Sequence, residues 1–360
     1  MYSAGIDYHK RYSVVNIMDD HGSIVVDNAR VNGNTLYGFR QVFAGVDGPL
    51  QATFECGRNW GYLYDLLEET GSVERIVPAH AAKVKVIGEA EIKTDKIDAR
   101  MLAHLLRADL IPAVHVPDAA TRMRKDVLRQ RAQWVQLRTR VRNRVHGIID
   151  RYPEAAMPKV SDLFGRQGMR ALKKVELPGD ERALLDQHLA ALALLAKLIK
   201  ACQRLIDRAA QGDADEHLLL TVPGMGPVIA PLVSVEVDGI TRFSSAAKLC
   251  AYAGLVPSTY SSGGRTRHGR MLHSCNHWLK WAFIEASWVA MKHDLYFGGL
   301  YKRHRARGKK ATTAITIVAR RMCTIVYHML YEQRAYEHRP LRFAAPGRPG
   351  RLLTESHMVA

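Results

Sequence analysis

Four acidic residues stand in segments whose neighbours are apolar or helical, and carboxylates in such places can do chemistry. Asp7 lies in the first predicted strand and Glu55 near the end of the fourth. Asp95 and Asp98 are three residues apart in a predicted helix that Thr94 would cap, so both carboxylates share one helix face. Charged groups are rarely buried without a partner or a metal. Carboxylate oxygens suit Mg²⁺, and one or two such ions serve phosphoryl transfer on nucleic acids.

Each acid also has an ordinary explanation. Asp7 alone could be a turn or cap residue, and Glu55 could close a strand with an ion pair. The Asp95 and Asp98 pair could begin a solvated helix, whose dipole favours acids in its first turn. If strands one and four are neighbours, however, Asp7 and Glu55 converge at one edge of the sheet. The helix that carries the other two acids can then pack over that edge, and this arrangement favours a metal site.

Residues 1–117 are predicted to form an α/β domain with a mixed sheet. Three strands come first and are followed by alternating helices and strands, the pattern of such a domain. The strands are expected at 3–7, 12–18, 23–27, 51–56 and 73–78, and the helices at 34–43, 59–69 and from 94 onwards.

Three segments of this domain resemble one known family. Gly5-Ile6-Asp7, the stretch from Phe54 to Gly57, and the stretch from Lys93 to Arg100 are similar to the RuvC-like (RNase H-like) domain of the DEDD insertion-sequence transposases, the insertion sequence 110 family. Members of that family are understood as bridge-RNA-guided serine recombinases. The resemblance places all four acids on the family's acidic positions, namely Asp7, Glu55, Asp95 and Asp98. It implies Mg²⁺ as the cofactor, with Mn²⁺ as a substitute.

The charge balance favours a polyanionic partner. Lys and Arg number 52 against 35 Asp and Glu, which gives a net charge of +17 and a pI near 9.8. Nucleic acid is the first partner to consider. An anionic membrane is disfavoured, since no basic stretch has a strong apolar face with interfacial aromatics, and no apolar run approaches the ~20 residues of a membrane span. Scattered cysteines and the lack of a secretory signal predict a cytoplasmic protein with reduced thiols.

Residues 118–216 are predicted to be a basic helix and a coiled-coil segment. A long helix over about 121–151 carries many arginines and a narrow apolar stripe, and a leucine-rich helix follows over about 181–210. The arginines could be a solvated helix face, but their density favours a surface that tracks phosphates. The cations chosen as candidate nucleic-acid ligands are Arg122, Arg124, Lys125, Arg138 and Arg142. The family resemblance implies that the coiled coil supports a dimer that assembles into a tetramer.

Residues 217–336 are predicted to be a mainly α-helical domain, in which a basic connector around Lys302 and Arg305 joins two core helices, and 337–360 a mobile tail. The segment from Thr221 to Ala230 looks like a helix-hairpin-helix turn, whose backbone N–H groups could receive a phosphate. It could equally be an ordinary turn between two helices.

The segment from Gly254 to Arg270 reads as a loop of serines and glycines followed by cations. A serine hydroxyl needs its proton removed and its target phosphate neutralised before it can act as a nucleophile. Arginine forks can do the second task, which makes Arg265, Arg267 and Arg270 candidate phosphate ligands. The family resemblance aligns the nucleophile with Ser262, and Ser261 is the alternative.

The resemblance extends from Gly5 to about Leu330 and implies a DNA transposase or recombinase. Ser262 would join DNA through a phosphodiester, the four acids would bind Mg²⁺, and one acid is a candidate base. A bridge RNA would pair with donor and target DNA, and in a tetramer the RuvC-like domain of one subunit would meet the serine domain of another. One alternative is a RuvC-like metal-dependent nuclease or Holliday-junction resolvase that uses activated water. Another is a basic architectural or RNA-binding protein without enzymatic activity.

Overall fold

A computed structural model describes residues 1–57, 59–87, 95–153, 158–209 and 213–338, without the side chains of 86, 95–97 and 268. The chain divides into two compact units, Met1–Pro117 and Asp118–Ala360. The predicted cap Thr94 and residues 339–360 of the predicted tail lie outside the described residues. The further division of the second unit at residue 216 stays a prediction.

A five-stranded mixed sheet forms the first unit. Its elements are β1 (Tyr2–Tyr8), β2 (Tyr12–Met18), β3 (Ile24–Asn32), α1 (Leu36–Phe43), β4 (Leu50–Glu55), α2 (Trp60–Thr70), β5 (Arg75–Ala79), α3 (Ala81–Ile87) and α4 (Asp95–Arg107). The strand order is β3-β2-β1-β4-β5. The first three strands are antiparallel, whereas β4 and β5 run parallel to β1. Strands one and four are therefore neighbours, as a shared site for Asp7 and Glu55 requires.

Both faces of this sheet are covered, because its central strands alternate between two apolar environments. Ile6 and Phe54 are fully buried and pack with Phe39 of α1 and Leu63 of α2. The opposite face of β1 packs against α4, where Ala99 is fully buried. This mixed sheet with helices on it fits the RuvC-like domain that the resemblance implied.

Helices dominate the second unit. They are α5 (Ala119–Ile149), α6 (Arg166–Leu172), α7 (Gly179–Ala209), α8 (Ala214–Leu220), α9 (Ile229–Val237), α10 (Ala246–Tyr252), α11 (His277–His293), α12 (Leu295–Ala306) and α13 (Ala311–Glu332). Two strands, β6 (Pro257–Ser262) and β7 (Arg265–Met271), pair as an antiparallel hairpin between α10 and α11. Helices α9, α11 and α13 supply most of the apolar core, with Val233, Phe283 and Val318 fully buried. In the described part of the chain, helices of sufficient length all fall short of the apolar character that a membrane span requires.

The leucine stripe of α7 is used within the chain. Leu185 and Leu189 pack with Val145 and Ile148 of α5 in one apolar cluster. Leu194, by contrast, is exposed on another side of α7. The structure thus pairs α5 with α7 in a single chain, and the predicted coiled coil between subunits stays a prediction.

Two segments differ from their expected structure. The serine-rich segment is the hairpin β6–β7 rather than a loop, because Gly263 and Gly264 take positive φ angles of 55° and 75° and close a tight turn. The basic segment around Lys302 and Arg305 was expected as a connector, but it belongs to α12. Its lysine and arginines are good helix formers, and Asp294 caps the helix by accepting a hydrogen bond from the Phe297 N–H.

Candidate functional site

Asp7 and Glu55 lie side by side at the carboxyl ends of two adjacent parallel strands. Ile6 of β1 pairs with Phe54 of β4, so the next residue of each strand is at the same level. Side chains alternate along a strand, and both acids therefore point to the face opposite Ile6 and Phe54, the face that α4 covers. The sheet brings together two of the four predicted acids.

Helix α4 crosses this face at very close range. A Cβ on Gly5 would lie 2.0 Å from the carbonyl oxygen of Ala99 and 2.4 Å from the amide nitrogen of Ala103. Only a glycine on the strand and small residues on the helix allow this approach. Gly5 shares its sheet face with Asp7, so the helix backbone passes directly beside the site.

Two arginines fix the direction of α4. Arg107, its last residue, donates to the carbonyl oxygen of Asp20 at 3.1 Å, in the turn beside the first residues of β1. Arg100 donates to Asp27 of β3 at 2.9 Å, nearer the middle of the sheet. Helix α4 therefore begins at the Asp7 end of β1. Asp95 precedes Ala99 by about 6 Å of helix rise, close to the span from Gly5 to Asp7, so its backbone lies level with Asp7.

The donor set fits a divalent cation that prefers oxygen. Asp7 and Glu55 offer two carboxylates at the carboxyl ends of β1 and β4, and Asp98 of α4 is half-buried. The side chain of Asp95 lies outside the described residues. Among the side chains that the structure describes, no group of three or more His, Cys, Asp and Glu residues could by itself hold an ion.

Two neighbours of the acids were not chosen from the sequence. The Nε2 atom of His9 lies 3.1 Å from Oδ2 of Asp7, and the two side chains are 41% and 20% exposed. Burial and the Glu55 carboxylate raise the pKa of the Cys56 thiol to about 11. Cys56 thus stays protonated at neutral pH and is a poor ligand or nucleophile. For His9, the one sequence feature that could have singled it out was its position two residues after Asp7.

The β6–β7 hairpin places Ser262 among cations. Ser262 pairs with Arg265 and Tyr260 pairs with Arg267, so these four residues share one face of the two-stranded ribbon. Ser262, the last residue of β6, is exposed beside the Gly263 turn.

Ser261 lies on the opposite face of the hairpin. It pairs with Thr266, and the two hydroxyl oxygens are 3.3 Å apart. Pairing is irregular between Pro257 and Thr259, and Arg270 lies beyond the regular part of the ribbon. The face of Arg265 and Arg267 therefore belongs to Ser262 and not to Ser261. The side chain of His268 lies outside the described residues.

A buried ion pair holds the base of the hairpin. Glu236, 1% exposed, accepts two hydrogen bonds from Arg129 of α5 at 2.8 and 2.9 Å. Its Oε2 also accepts from the side-chain amide of Asn276 at 2.8 Å. Asn276 caps α11 and donates its backbone N–H to the Tyr252 carbonyl at 2.7 Å, so both ends of the hairpin are joined. The one sign of this ion pair in the sequence was a single glutamate, Glu236, within the apolar segment that forms α9.

The cations at the start of α5 form ion pairs with acids of the second unit. Arg124 bonds to Asp213 at 3.1 Å and to Glu216 at 3.3 Å. Lys125 is 8% exposed and lies 3.6 Å from Asp238, and burial lowers its pKa. These two candidate nucleic-acid ligands are already bound to acids of their own chain, while Arg122 lies beside them in the first turns of α5.

The cations further along α5 have a different environment. Arg138 and Arg142 form none of the ion pairs among the described residues, and their Nε atoms are buried without a hydrogen-bond partner there. Burial lowers the pKa of Arg138, and the like charges of Arg142 and Arg131 lower it further. The guanidinium of Arg142 lies 4.8 Å from the ring centre of Phe164. A bound anion would reduce the repulsion between Arg138 and its neighbours Arg131 and Arg142.

Comparisons with known proteins point in one direction. Residues 4–153 match a family model described as "Transposase", that of the insertion sequence 110 DEDD type, and residues 216–302 match "Transposase IS116/IS110/IS902 family". The two matches span about two thirds of the chain. The chain belongs to the insertion sequence 110 family of DEDD transposases. This transposase is therefore an enzyme of the DNA transposase and recombinase class, and its DEDD type depends in general on a divalent metal.

Individual relatives agree with the family models. The transposase is 26% identical to the "Insertion element IS116 uncharacterized 44.8 kDa protein" of Streptomyces clavuligerus, over 70% of this chain and 74% of that protein. It is 25% identical to a "Probable family 20 transposase" of Pseudomonas aeruginosa, over 79% and 82% of the two chains. It is 30% identical to a "Pilin gene-inverting protein" of Moraxella bovis, over 34% and 38%. The family matches include the four acids in one region and Ser262 in the other.

Proposed function

We propose that this transposase cuts and exchanges DNA strands through a covalent bond between Ser262 and DNA. The observation that carries the proposal is the shared hairpin face of Ser262, Arg265 and Arg267. The exposed hydroxyl stands where two guanidinium groups can bind the phosphate under attack. Ser261 lacks these neighbours.

The chemistry divides between the two units. The Ser262 Oγ would attack phosphorus, forming a new P–O bond while the bond to a deoxyribose oxygen breaks and that oxygen takes up a proton. The serine proton would pass to a base, for which one of the four acids is the candidate. Mg²⁺, with Mn²⁺ as a substitute, would polarise the phosphate while held by Asp7, Glu55, Asp95 and Asp98. Because the phosphodiester energy is kept in the protein–DNA bond, the strand can be rejoined to a new partner.

The family resemblance supports two further parts of the proposal. A non-coding bridge RNA would select donor and target DNA by base pairing. A dimer would assemble into a tetramer, in which the acids of one subunit meet Ser262 of another. The net charge of +17 supports binding to both kinds of nucleic acid.

A covalent-adduct assay tests the proposal. Three proteins are compared: the wild type, Ser262→Ala and Ser261→Ala. Each is incubated with Mg²⁺, with RNA transcribed from the non-coding end of the insertion element that encodes the transposase, and with DNA nicked beside the cleavage site. The nick lets the cut fragment diffuse away, so a protein–DNA adduct accumulates and is seen on a denaturing gel. We expect the adduct from the wild type and Ser261→Ala but not from Ser262→Ala. Cut DNA with free ends from Ser262→Ala would contradict the serine mechanism and favour a nuclease that uses water.

A further inference from the structure

A large aromatic side chain is exposed beside the proposed nucleophile. Tyr260 of β6 is 71% exposed, whereas most aromatic rings in the described part of the second unit lie in its apolar core or pack against it. Single exposed tyrosines are common on protein surfaces and alone indicate little. The neighbours of Tyr260 make this one different.

Tyr260 belongs to the same hairpin face as Ser262. The two residues are separated by one, so they point to the same side and lie about 7 Å apart along the strand. Across the ribbon, Tyr260 pairs with Arg267 and Ser262 pairs with Arg265. A nucleic-acid strand whose phosphate contacts Ser262 and the arginines would carry its neighbouring base over Tyr260.

The Tyr260 ring lies next to Gly269 of β7. A Cβ on Gly269 would lie 3.6 Å from Cε2 of Tyr260 and 2.4 Å from Oγ of Ser258. The ring thus rests along the backbone of β7 at a position without a side chain. One side of the ring contacts β7 and the other side is in solvent, so a nucleobase can stack on the ring.

We propose that Tyr260 stacks on the nucleobase next to the phosphate that Ser262 attacks. This inference rests on the proposed role of Ser262. Stacking would hold the flanking nucleotide still while Arg265 and Arg267 bind the phosphate, and so would orient phosphorus towards the serine hydroxyl. Every base has an aromatic face, so the contact tolerates any sequence and suits an enzyme whose target is chosen by pairing elsewhere. Tyr260 is a positioning residue in this role.

Fluorescence of 2-aminopurine tests the contact without any cutting. The probe base is placed in turn at the two nucleotides on each side of the scissile phosphate, and the protein carries Ser262→Ala so that the DNA stays intact. We expect stacking to quench the probe at one flanking position. Tyr260→Phe should keep the quenching, since stacking needs the ring and not the hydroxyl. Tyr260→Ala should lose it and weaken binding by about tenfold.

Tyr37→Ala is the matched control, since Tyr37 of α1 is 70% exposed but lies in the first unit. Tyr37→Ala, added to the Ser262→Ala protein, should quench the probe as strongly as Ser262→Ala alone does. Unchanged quenching with Tyr260→Ala would overturn the inference. Unchanged quenching by Tyr260→Ala, together with a changed molecular mass of that variant in solution, would also overturn the inference and would show that the ring packs against another subunit.

A second readout separates this inference from the proposal for Ser262. With otherwise wild-type protein, an abasic nucleotide at the quenched position should slow adduct formation about tenfold, and Tyr260→Ala should be insensitive to that change. Equal sensitivity of both proteins would overturn the inference while leaving the serine mechanism intact. Quenching that needs Tyr260 in a protein that forms no adduct would support base stacking and reject the serine mechanism.

Discussion

Gly5 of β1 lies directly beneath Ala99 of α4, so close that a Cβ on Gly5 would be 2.0 Å from the Ala99 carbonyl oxygen. This contact joins the strand that carries Asp7 near its end to the helix that begins with Asp95 and carries Asp98. The relative position of the acids therefore depends on the absence of one methyl group.

Gly5→Ala should separate the acids without removing any of them. The new methyl group would meet helix backbone, which cannot rotate away, so α4 must shift. We expect a decrease of about 3 kcal/mol in the free energy of unfolding and the disappearance of metal-dependent cleavage. Urea unfolding and the adduct assay measure both effects. Gly45→Ala is the control, because its Cβ would lie 3.9 Å from the nearest atom, and wild-type stability of Gly5→Ala would show that the approach is looser than described.

Asp7→Asn should abolish stabilisation by a divalent cation. A ligand that binds only the folded state raises its stability, by about 2.7 kcal/mol at a concentration of 100 Kd. We expect Mg²⁺ to raise the melting temperature of the wild type but not that of Asp7→Asn or Glu55→Gln. The exposed Asp47→Asn serves as control, and a wild-type Mg²⁺ response of Asp7→Asn would exclude it as a ligand.

Much of the first unit could be predicted from local patterns. Strand alternation and the order of elements were enough to place Asp7 and Glu55 in two strands of a mixed sheet, whereas the pairing of β1 with β4 was only a condition for a shared site, which the strand order meets. The close approach at Gly5 could not be expected, because it depends on which helix residues face the strand. The two residues that touch, Gly5 and Ala99, are far apart in the sequence.

The second unit was harder to predict for a physical reason. Arg124 and Glu216 are 92 positions apart, so a helix rich in arginine gives no sign of which cations are bound by distant acids. The β6–β7 hairpin was missed because serine, glycine and arginine have weak strand preferences. Its register, which separates Ser262 from Ser261, is set by the turn at Gly263 and Gly264.

The two parts of α5 should respond differently to substitution. Arg138→Gln with Arg142→Gln should lower the slope of log binding constant against log salt by about 2, because two phosphates of the DNA are no longer neutralised. Thermal stability should hold or rise, because like charges are removed. Arg124→Gln should instead destabilise the fold and leave the salt slope unchanged, since it leaves Asp213 and Glu216 without their cation. Titrations of a short DNA duplex at several salt concentrations measure the slopes, and equal slopes for the double variant and the wild type would exclude phosphate binding by Arg138 and Arg142.

Acid should remove a stabilising contribution from Asp213. Burial raises its pKa, but hydrogen bonds from the Glu216 N–H, the Ser234 hydroxyl and Arg124 outweigh burial, and the pKa lies below its ordinary value of 3.8. The folded protein thus binds this proton less tightly than the unfolded chain, so the contribution is complete above about pH 4 and is lost as the pH falls through the folded-state pKa. Ser234→Ala should cost about 1 kcal/mol at pH 7 and progressively less below pH 4. Burial and Asp213 raise the pKa of Glu216, an opposite pH dependence that both proteins share and that cancels in the comparison. Urea unfolding from pH 3 to pH 7 measures the difference, with the exposed Ser161→Ala as control, and a difference independent of pH would show that Ser234 stabilises the fold without acting on Asp213.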